Sequence, residues 1–264
     1  MRPLSDLPAA ETIRGVCFDI DDTFPRDGRV VGAAFTALER WQASGRRAVA
    51  VTGRPAGWCD HFARMWPIDA VVGENGAFWF AFDSQTRKIL RADFQSANDR
   101  NQTKSTFNQV VAAVLARFPA ARLASDQAYR ASDLAIDFAE DCGPLSLSDA
   151  QDIAQIMRGF GMTAKISSIH VNGWFGRFDK SSTTQSLFES HFGISPVTLK
   201  DSFLYVGDSP NDSPMFSFFP LSVGVANVRR YGDVMTDLPK FVSRGESASG
   251  FIEVLDHVLG SQAA

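Results

Sequence analysis

The sequence predicts an α/β protein whose core is a doubly wound, parallel, Rossmann-like sheet with an α+β cap domain inserted into it. Short apolar strands alternate with helical stretches over residues 13–76, and the same alternation resumes after residue 178. Between them the rhythm changes to a hairpin followed by two helix–strand–strand units. Strand–helix alternation with short connections is typical of a parallel sheet, and its interruption indicates an inserted domain.

The first part of the core is predicted to contain three strands and two helices. An apolar run that ends at Phe18 indicates a buried strand. Apolar residues recur at helical spacing from Ala34 to Trp41, and the glycine Gly45 follows them, which predicts a helix over 32–45. The remaining segments of this part are a strand over 47–51, a helix over 56–66 and a strand over 68–72.

The cap is predicted to span residues 83–177, and the core to comprise residues 1–82 and 178–264. The segments of the cap region are a hairpin of 78–82 and 88–92, a helix over 104–118, strands over 121–124 and 134–139, a helix over 148–160, and strands over 163–167 and 169–171. The core then resumes with a helix over 179–192, a strand over 202–206, a helix over 214–218, a strand over 222–226 and a helix over 248–259.

Composition excludes several classes of protein. A net charge of −4 gives no support to a nucleic-acid or anionic-membrane partner. The three cysteines are widely spaced and form neither a zinc pattern nor a disulfide framework, which favours a reducing cytoplasm. The first twelve residues lack the apolar stretch of a secretory signal, and no segment has the length of a membrane span. We therefore expect a cytoplasmic monomer or small homo-oligomer.

Three carboxylates follow the first buried strand within four positions. Asp19, Asp21 and Asp22 come directly after the apolar run that ends at Phe18. Unpaired carboxylates this close repel one another and raise each other's pKa, so the cluster needs a cation or a hydrogen-bond network. Oxygen ligands favour a hard divalent cation, which predicts a Mg²⁺ site.

Polar groups also follow other predicted strands. Thr52 ends the second strand, Asp208 and Asp212 follow the strand over 202–206, and Lys180 opens a helix. A single Asp at a strand end is explained by turn formation or helix capping. Because the carboxyl ends of parallel strands meet along one edge of a sheet, we expect these groups to converge there as a functional site.

The order of these groups matches a known pattern. The chain resembles the haloacid dehalogenase-like hydrolases in four motifs: Asp19-Ile20-Asp21-Asp22-Thr23, Thr52, Lys180, and Gly207-Asp208-Ser209-Pro210-Asn211-Asp212. It is similar to the Cof-type branch in two further stretches, Val51-Thr52-Gly53-Arg54 and Gly73-Glu74-Asn75-Gly76-Ala77. That branch contains phosphatases for sucrose phosphate, trehalose phosphate and mannosyl-phosphoglycerate. The first motif reads Asp-Asp-Thr-Phe where many relatives have Asp-Gly-Thr-Leu.

The resemblance implies a role for each matching residue. Asp19 would attack phosphorus, and Asp21 would act as general acid and base. The carboxylates of Asp19 and Asp208 and the backbone carbonyl of Asp21 would hold Mg²⁺, with Asp212 orienting the water around the metal or Lys180. The phosphoryl group would be bound by Thr52, Lys180 and Asn211, although residues 209–212 are equally a turn sequence. The substrate would be contacted by Arg54 and Asn75; the alternatives are that Arg54 faces solvent and that Asn75 belongs to an Asn-Gly hairpin turn.

The cap is expected to contact the substrate and to exclude water. Asn172 and Trp174 lie in a polar and aromatic segment that leads to Lys180, and they could recognise a sugar through hydrogen bonding and stacking. The alternative is that His170 is an ordinary strand residue and that Trp174 packs at the domain junction. His170 has no partner at metal-ligand spacing, which argues against a role in metal binding.

The sequence therefore predicts a Mg²⁺-dependent phosphatase that acts on small phosphorylated metabolites, with sugar phosphates favoured. A phosphomutase or a dehalogenase would share the core. A phospho-accepting signalling receiver would share the clustered Asp, Thr and Lys residues, but such modules are shorter and have no cap. A binding protein without catalytic activity is the remaining alternative.

Overall fold

The protein, seen here in a computed structural model, is described for residues 1–8 and 12–260. Its strands are β1 (Arg2–Pro3), β2 (Gly15–Phe18), β3 (Arg47–Val51), β4 (Ala70–Gly73), β5 (Phe78–Asp83), β6 (Lys88–Asp93), β7 (Arg122–Leu123), β8 (Asp133–Asp137), β9 (Thr163–Ile166), β10 (His170–Trp174), β11 (Phe203–Gly207), β12 (Ser222–Gly224) and β13 (Phe241–Val242). Its α-helices are α1 (Gly32–Ala43), α2 (Ala56–Met65), α3 (Ala97–Arg117), α4 (Leu147–Gly159), α5 (Lys180–Ser190), α6 (Pro196–Ser202), α7 (Ser213–Phe218) and α8 (Ser247–Gly260).

The core is a nine-stranded sheet in the order β1-β13-β12-β11-β2-β3-β4-β5-β6. Neighbouring strands from β1 to β4 run parallel, and β5 and β6 form an antiparallel hairpin at one edge. Apolar strand residues are buried on both faces, as expected for a parallel sheet covered by helices. Side chains of α1, α2 and α8 pack on one face, and those of α5, α6 and α7 on the other.

The cap has its own sheet and its own hydrophobic core. Its four strands are antiparallel in the order β7-β8-β10-β9. Apolar residues of α3 and α4 pack against this sheet, with Val110, Ile153 and Met157 fully buried. The predicted fold class, a parallel-dominated α/β core with an inserted α+β cap, is confirmed.

The predicted division of the chain at residues 83 and 177 stays a prediction. The strand β6 pairs with β5 along its whole length, so the core sheet continues to Asp93. The pairing of β6 with β5 therefore favours a cap that begins after Asp93.

Most of the predicted elements appear within a few residues of their expected bounds, but four differ. The helix α3 begins at Ala97 rather than residue 104, because Ser96 and Asp99 form a capping box ahead of a polar first turn. That polar turn has no apolar periodicity from which a helix could be predicted. The helix α6 was not predicted. The two-residue strands β1 and β13 were not predicted either, since so short a strand depends on pairing with its neighbours rather than on local pattern: β1 pairs with β13, and β13 pairs with both β1 and β12.

Within the described ranges, the chain has no helix that combines the length and apolar character needed to cross a membrane.

Candidate active site

The predicted site lies where the direction of the sheet's winding reverses. From β2 the chain continues through β3 and β4 to one side, whereas β11 leads through β12 and β13 to the other. Ligands of open α/β sheets bind in the crevice beside such a reversal. Asp19 follows β2 and Asp208 follows β11, and the Asp19 N–H donates to the Val206 carbonyl at 2.9 Å. Residues 189 positions apart thereby become neighbours.

Three carboxylates converge at this crevice. One oxygen from each of Asp19, Asp208 and Asp212 lies within 4.8 Å of the others, and all three residues are buried. The ammonium group of Lys180 reaches this cluster from the first residue of α5. Its Nζ lies 2.8 Å from Asp19 Oδ1 and 2.7 Å from Asp212 Oδ1. The structure thus brings together four residues that the sequence predicted to converge.

The cluster carries more negative than positive charge. Burial raises the pKa of Asp19 well above its usual range, against the opposing effect of Lys180. Burial, together with Asp19 and Asp212, also raises the pKa of Asp208 strongly. The pKa of Lys180 is raised because Asp19 and Asp212 outweigh the effect of burial. Among the described residues no cationic side chain forms an ion pair with Asp208, so one ammonium faces three carboxylates.

Asp212 organises the loop that carries Asp208. Its Oδ2 accepts the backbone N–H groups of Asp208 and Ser209 at 2.9 and 3.1 Å. Its Oδ1 accepts hydrogen bonds from Lys180 and from the Tyr205 hydroxyl, the latter at 2.5 Å. Both carboxylate oxygens of Asp212 therefore accept hydrogen bonds, and these hold Lys180, Tyr205 and the backbone at Asp208 in place.

The turn after β2 explains an unusual residue in the first motif. Asp22 adopts φ = 53°, a left-handed conformation that favours glycine and that Asp tolerates better than most residues. The turn brings Thr23 back to the site, where its hydroxyl donates to Asp208 Oδ1 at 3.0 Å. The substitution of Asp for the commoner Gly therefore preserves the turn.

Two further strand ends contribute polar groups. Thr52, after β3, is fully buried, and its Oγ1 accepts the Arg54 N–H at 3.0 Å. Asn75, after β4, accepts a hydrogen bond through Oδ1 from the Asn211 side chain at 3.2 Å. In the described chain, Nδ2 of Asn75 is buried and has no hydrogen-bond partner. A buried N–H donor without a partner is costly, and a ligand oxygen would satisfy it.

Arg54 links the core to the cap. Its Nε donates to both carboxylate oxygens of Asp21 at 2.8 and 3.0 Å. Its Nη2 lies 2.7 Å from Asp21 Oδ1 and 2.6 Å from Oε1 of Glu140, a cap residue. Asp21 and Glu140 raise the pKa of the guanidinium despite the opposing effect of burial. Asp21 is therefore held by an arginine whose other carboxylate partners, Glu140 and, at 3.5 Å, Asp126, belong to the cap.

Glu74 forms a second junction between core and cap. Its carboxylate accepts four backbone N–H groups, from Ala56 in the core and from Ala131, Ser132 and Asp133 in the cap, at 2.6–3.1 Å. Burial and the nearby Asp133 raise its pKa to about 7. The sequence placed Glu74 at a strand end but did not reveal this role.

We expect Glu74→Gln to lower the free energy of unfolding by about 2 kcal/mol or more, because an amide would turn an N–H group towards backbone donors and leave them unsatisfied. Thermal unfolding measures the change. Glu189→Gln makes the same substitution at an exposed helical position and should cost less than about 0.5 kcal/mol. Equal midpoints for the two variants would contradict the role of Glu74.

Two residues predicted to bind substrate have other partners. Asn172 donates to Asp133 Oδ2 at 2.8 Å within a buried network. Trp174 is 1 % exposed, stacks on Phe178 and donates to the Phe178 carbonyl at 3.2 Å. This geometry is that of packing at the domain junction, which was the alternative interpretation of Trp174. Their contribution to substrate binding stays a prediction.

No pattern in the sequence indicates Glu140, and for His170 the interpretation as an ordinary strand residue was the alternative to a place in a sugar-binding segment. Glu140 follows β8 in a loop without periodicity, and its contact with Arg54 spans 86 positions. Asn227 also lies at the site, with Nδ2 3.4 Å from Asp208 Oδ2. Such contacts depend on how the cap and the second half of the core are placed, which local pattern does not encode.

Known proteins resemble this chain in part of its sequence and in its fold. The haloacid dehalogenase-like hydrolase family matches residues 16–117. No curated protein matches the chain by sequence.

Solved structures resemble the chain over nearly its whole length. A Thermoplasma acidophilum protein is 18% identical with a TM-score of 0.68, covering 94% of this chain and 98% of its own. A phosphatase of the haloalkanoate enzyme superfamily from Bacteroides thetaiotaomicron is 17% identical with a TM-score of 0.64, covering 96% and 98%. The sucrose-phosphatase of Synechocystis, solved with sucrose and phosphate, is 16% identical with a TM-score of 0.59, covering 92% and 97%.

At these identities the solved structures show a shared fold, and the family match adds the sequence signature of the first motifs. The matched residues 16–117 contain the first motif and Thr52 but not Lys180 or residues 207–212, and the solved structures share the fold of core and cap. Residues 16–117 therefore match the haloacid dehalogenase-like hydrolase family, and nearly the whole chain shares its fold with solved structures that include a phosphatase of that superfamily, consistent with the Cof-type branch.

Proposed function

We propose that this protein is a Mg²⁺-dependent phosphatase that hydrolyses phosphomonoesters of small metabolites, sugar phosphates among them, through an aspartyl-phosphate on Asp19. The observation that carries the proposal is the convergence of Asp19, Asp208 and Asp212 around a single ammonium group, beside the crevice of the sheet. Support comes also from the similarity in fold to a sucrose-phosphatase solved with sucrose and phosphate.

Asp19 would act as the nucleophile. Lys180 holds one of its oxygens at 2.8 Å, which orients the carboxylate and reduces its repulsion of an anionic phosphate. Attack by Asp19 on phosphorus forms an acyl-phosphate bond as the ester P–O bond breaks. Splitting hydrolysis in this way replaces one difficult step by two easier ones.

Asp21 would act as general acid when the aspartyl-phosphate forms and as general base when it is hydrolysed. It donates a proton to the departing ester oxygen, and later takes a proton from the water that attacks the aspartyl-phosphate and releases inorganic phosphate. General acid–base catalysis of this kind contributes about 10²–10⁴-fold. Arg54 holds both oxygens of Asp21, so the carboxyl group is fixed in one orientation.

The phosphoryl group would be bound by donors from four segments. Lys180 supplies charge, while Thr52, Asn211 and Asn75 supply hydrogen bonds. The Asn75 Nδ2 is a buried donor that lacks a partner among the described residues, which fits an anionic oxygen. Donors fixed before the reaction stabilise charge that develops on phosphate oxygens without reorganising.

The residues fit a divalent cation. The uncompensated charge of Asp19 and Asp208, and ligands that are all oxygen, match the chemistry of Mg²⁺. Asp19, Asp208 and the backbone carbonyl of Asp21 would hold the ion, with Asp212 orienting their surroundings. When bound, the ion neutralises charge on the phosphoryl oxygens and lowers the repulsion between phosphate and nucleophile.

A panel of phosphomonoesters tests the function. We expect release of inorganic phosphate from sugar phosphates and from p-nitrophenyl phosphate in the presence of Mg²⁺, with loss of activity in excess EDTA and recovery on adding Mg²⁺. Product analysis distinguishes hydrolysis from phosphoryl transfer within the substrate. If Asp19 became stably phosphorylated without turnover, a phospho-accepting protein would be supported instead.

A further inference from the structure

Three arginines lie together at the end of the core sheet opposite the candidate active site. Arg14 precedes β2 and Arg47 begins β3, whereas Asp19 and Thr52 follow the other ends of these two strands. The strands contain four and five residues, so about 13–16 Å of extended chain separates the two ends. The Arg47 N–H donates to the Arg14 carbonyl at 3.0 Å, which makes these two residues neighbours. The arginines therefore belong to a surface distinct from that of the carboxylate cluster.

A pocket of about 400 Å³ opens between these arginines. A volume of this size is within the range of pockets that hold small organic ligands. We call it the basal pocket. Its polar side is formed by Arg14, Arg46, Arg47 and Ser44, and its apolar side by Ile194 and Phe203.

Arg46 is a buried cation without an acidic partner. It is 7 % exposed, and contacts on several sides hold it in place. Its Nε donates to the Ile13 carbonyl at 2.9 Å, its Nη1 to Ser44 Oγ at 2.8 Å, and its Cζ lies 5.5 Å from the centre of the Trp41 ring. Within the described ranges its Nη2 makes no hydrogen bond. Burial lowers the pKa of Arg46, and no described carboxylate offsets this effect. A buried charge without a counter-charge is costly, so Arg46 points to an anion.

The other two arginines make the charge of the pocket more positive. Arg47 pairs with Asp69 at 3.2 Å. Arg14 is exposed, and its side chain forms neither a hydrogen bond nor an ion pair with any residue that the structure describes. Three guanidinium groups thus face one carboxylate, in a protein whose net charge is −4. Planar guanidinium groups bind phosphate oxygens two at a time, and the excess of positive charge here matches a doubly charged phosphate.

We propose that the basal pocket binds a small organic phosphate, with its phosphate on Arg14, Arg46 and Arg47 and its apolar part beside Ile194. This site goes beyond the proposed phosphatase function and does not depend on it. A neutral ligand would leave the arginines without a counter-charge. Inorganic phosphate would satisfy them but leave the apolar side of the pocket uncovered.

Phenylphosphonate tests the site, because its P–C bond is not an ester bond that a phosphatase hydrolyses. We expect isothermal titration calorimetry of the full chain, in EDTA at mildly alkaline pH and about 0.15 M ionic strength, to show one site with Kd below about 1 mM. Methylphosphonate lacks the ring and should bind at least about fivefold more weakly. Benzenesulfonamide lacks the charge and should bind at least about tenfold more weakly. Absence of phenylphosphonate binding at about 10 mM, or equal affinity for either analogue, would overturn the proposal.

Variants locate the binding. Arg14→Gln removes one charge at an exposed position and should raise Kd for phenylphosphonate about tenfold. Arg87→Gln removes an exposed arginine from the turn between β5 and β6 and should leave Kd unchanged. Arg46→Gln should raise Kd at least as much as Arg14→Gln; thermal unfolding is measured beside it, because Arg46 also holds the Ile13 carbonyl. Unchanged Kd in Arg14→Gln would show that the arginines only support the fold, and the proposal would fail.

Asp19→Asn separates the basal pocket from the active site. In EDTA the carboxylates of Asp19, Asp208 and Asp212 repel an anion, and this variant relieves part of that repulsion. Binding in the basal pocket should therefore be equal in the wild type and the variant, whereas binding at the active site should be tighter in the variant. Tighter binding by Asp19→Asn would assign the ligand to the active site and overturn the basal pocket. None of these measurements uses turnover, so failure of the pocket and failure of the phosphatase function are distinguishable.

Discussion

Replacing Asp19 with Asn is expected to reduce phosphate release by about four orders of magnitude or more, because an amide cannot attack phosphorus and no other group replaces the nucleophile. The fold should survive the change. Burial raises the pKa of Asp19, so its anionic form is unfavourable in the folded protein, and a neutral side chain of the same shape removes that cost. Without metal, the unfolding midpoint of Asp19→Asn should therefore equal or exceed that of the wild type.

The measurements are steady-state phosphate release with Mg²⁺ and thermal unfolding with EDTA. Asp27→Asn is the matched control, since Asp27 is exposed, lies in a turn at φ = 51° and, in the described part of the chain, forms no hydrogen bond or ion pair with a site residue. Asn accepts this left-handed conformation as readily as Asp. Retention of more than a few percent of activity by Asp19→Asn would contradict its role as nucleophile, whatever the stability of the variant.

Mg²⁺ is expected to stabilise the wild type, and Asp208→Asn is expected to abolish that stabilisation. At a Mg²⁺ concentration about 100 times the dissociation constant, binding to the folded state alone adds about 2.7 kcal/mol to the free energy of unfolding. For a chain of this size that raises the midpoint by roughly 5–10 °C. The variant loses a buried carboxylate ligand and with it most of the affinity for the ion.

The effect of Asp208→Asn on the unfolding temperature should change sign when the metal is removed. Burial, Asp19 and Asp212 all raise the pKa of Asp208, so its charge destabilises the metal-free fold. In EDTA, Asp208→Asn should unfold at a higher temperature than the wild type, and in Mg²⁺ at a lower one. Asp60→Asn, which removes an exposed partner of Arg64, should respond to Mg²⁺ as the wild type does. Equal Mg²⁺ shifts in the wild type and Asp208→Asn would exclude Asp208 as a ligand.

Much of the fold could be predicted because core strands and helices carry their own patterns. The strand Arg47–Val51 has the bounds that the sequence predicts, and the first helix begins at Gly32 as predicted. The helix Ala97–Arg117 was predicted too short because its first turn is polar. The strands Arg2–Pro3 and Phe241–Val242 were missed because each has two residues and is held by pairing: Arg2–Pro3 pairs with Phe241–Val242, which also pairs with Ser222–Gly224.

Some residues of the candidate site could likewise be predicted from the sequence, and others could not. Asp19, Thr52 and Asp208 could be found because each ends a strand, and ends of parallel strands share one edge. Lys180 needed the order of the motifs, since an isolated lysine at a helix start carries no signal. Trp174 shows the limit: an aromatic residue in a polar segment fits sugar stacking and packing on Phe178 equally well until its neighbours are known.

The sequence by itself determined the α/β architecture, the inserted cap and the carboxylates at the strand ends, because these depend on residue type and spacing along the chain. Only the tertiary structure decided that Arg54 joins Asp21 to Glu140, that Glu74 binds four backbone amides on both sides of the domain junction, and that Trp174 is buried. These contacts join residues far apart in the chain, and their energies depend on burial and on partners that exist only once cap and core have packed together.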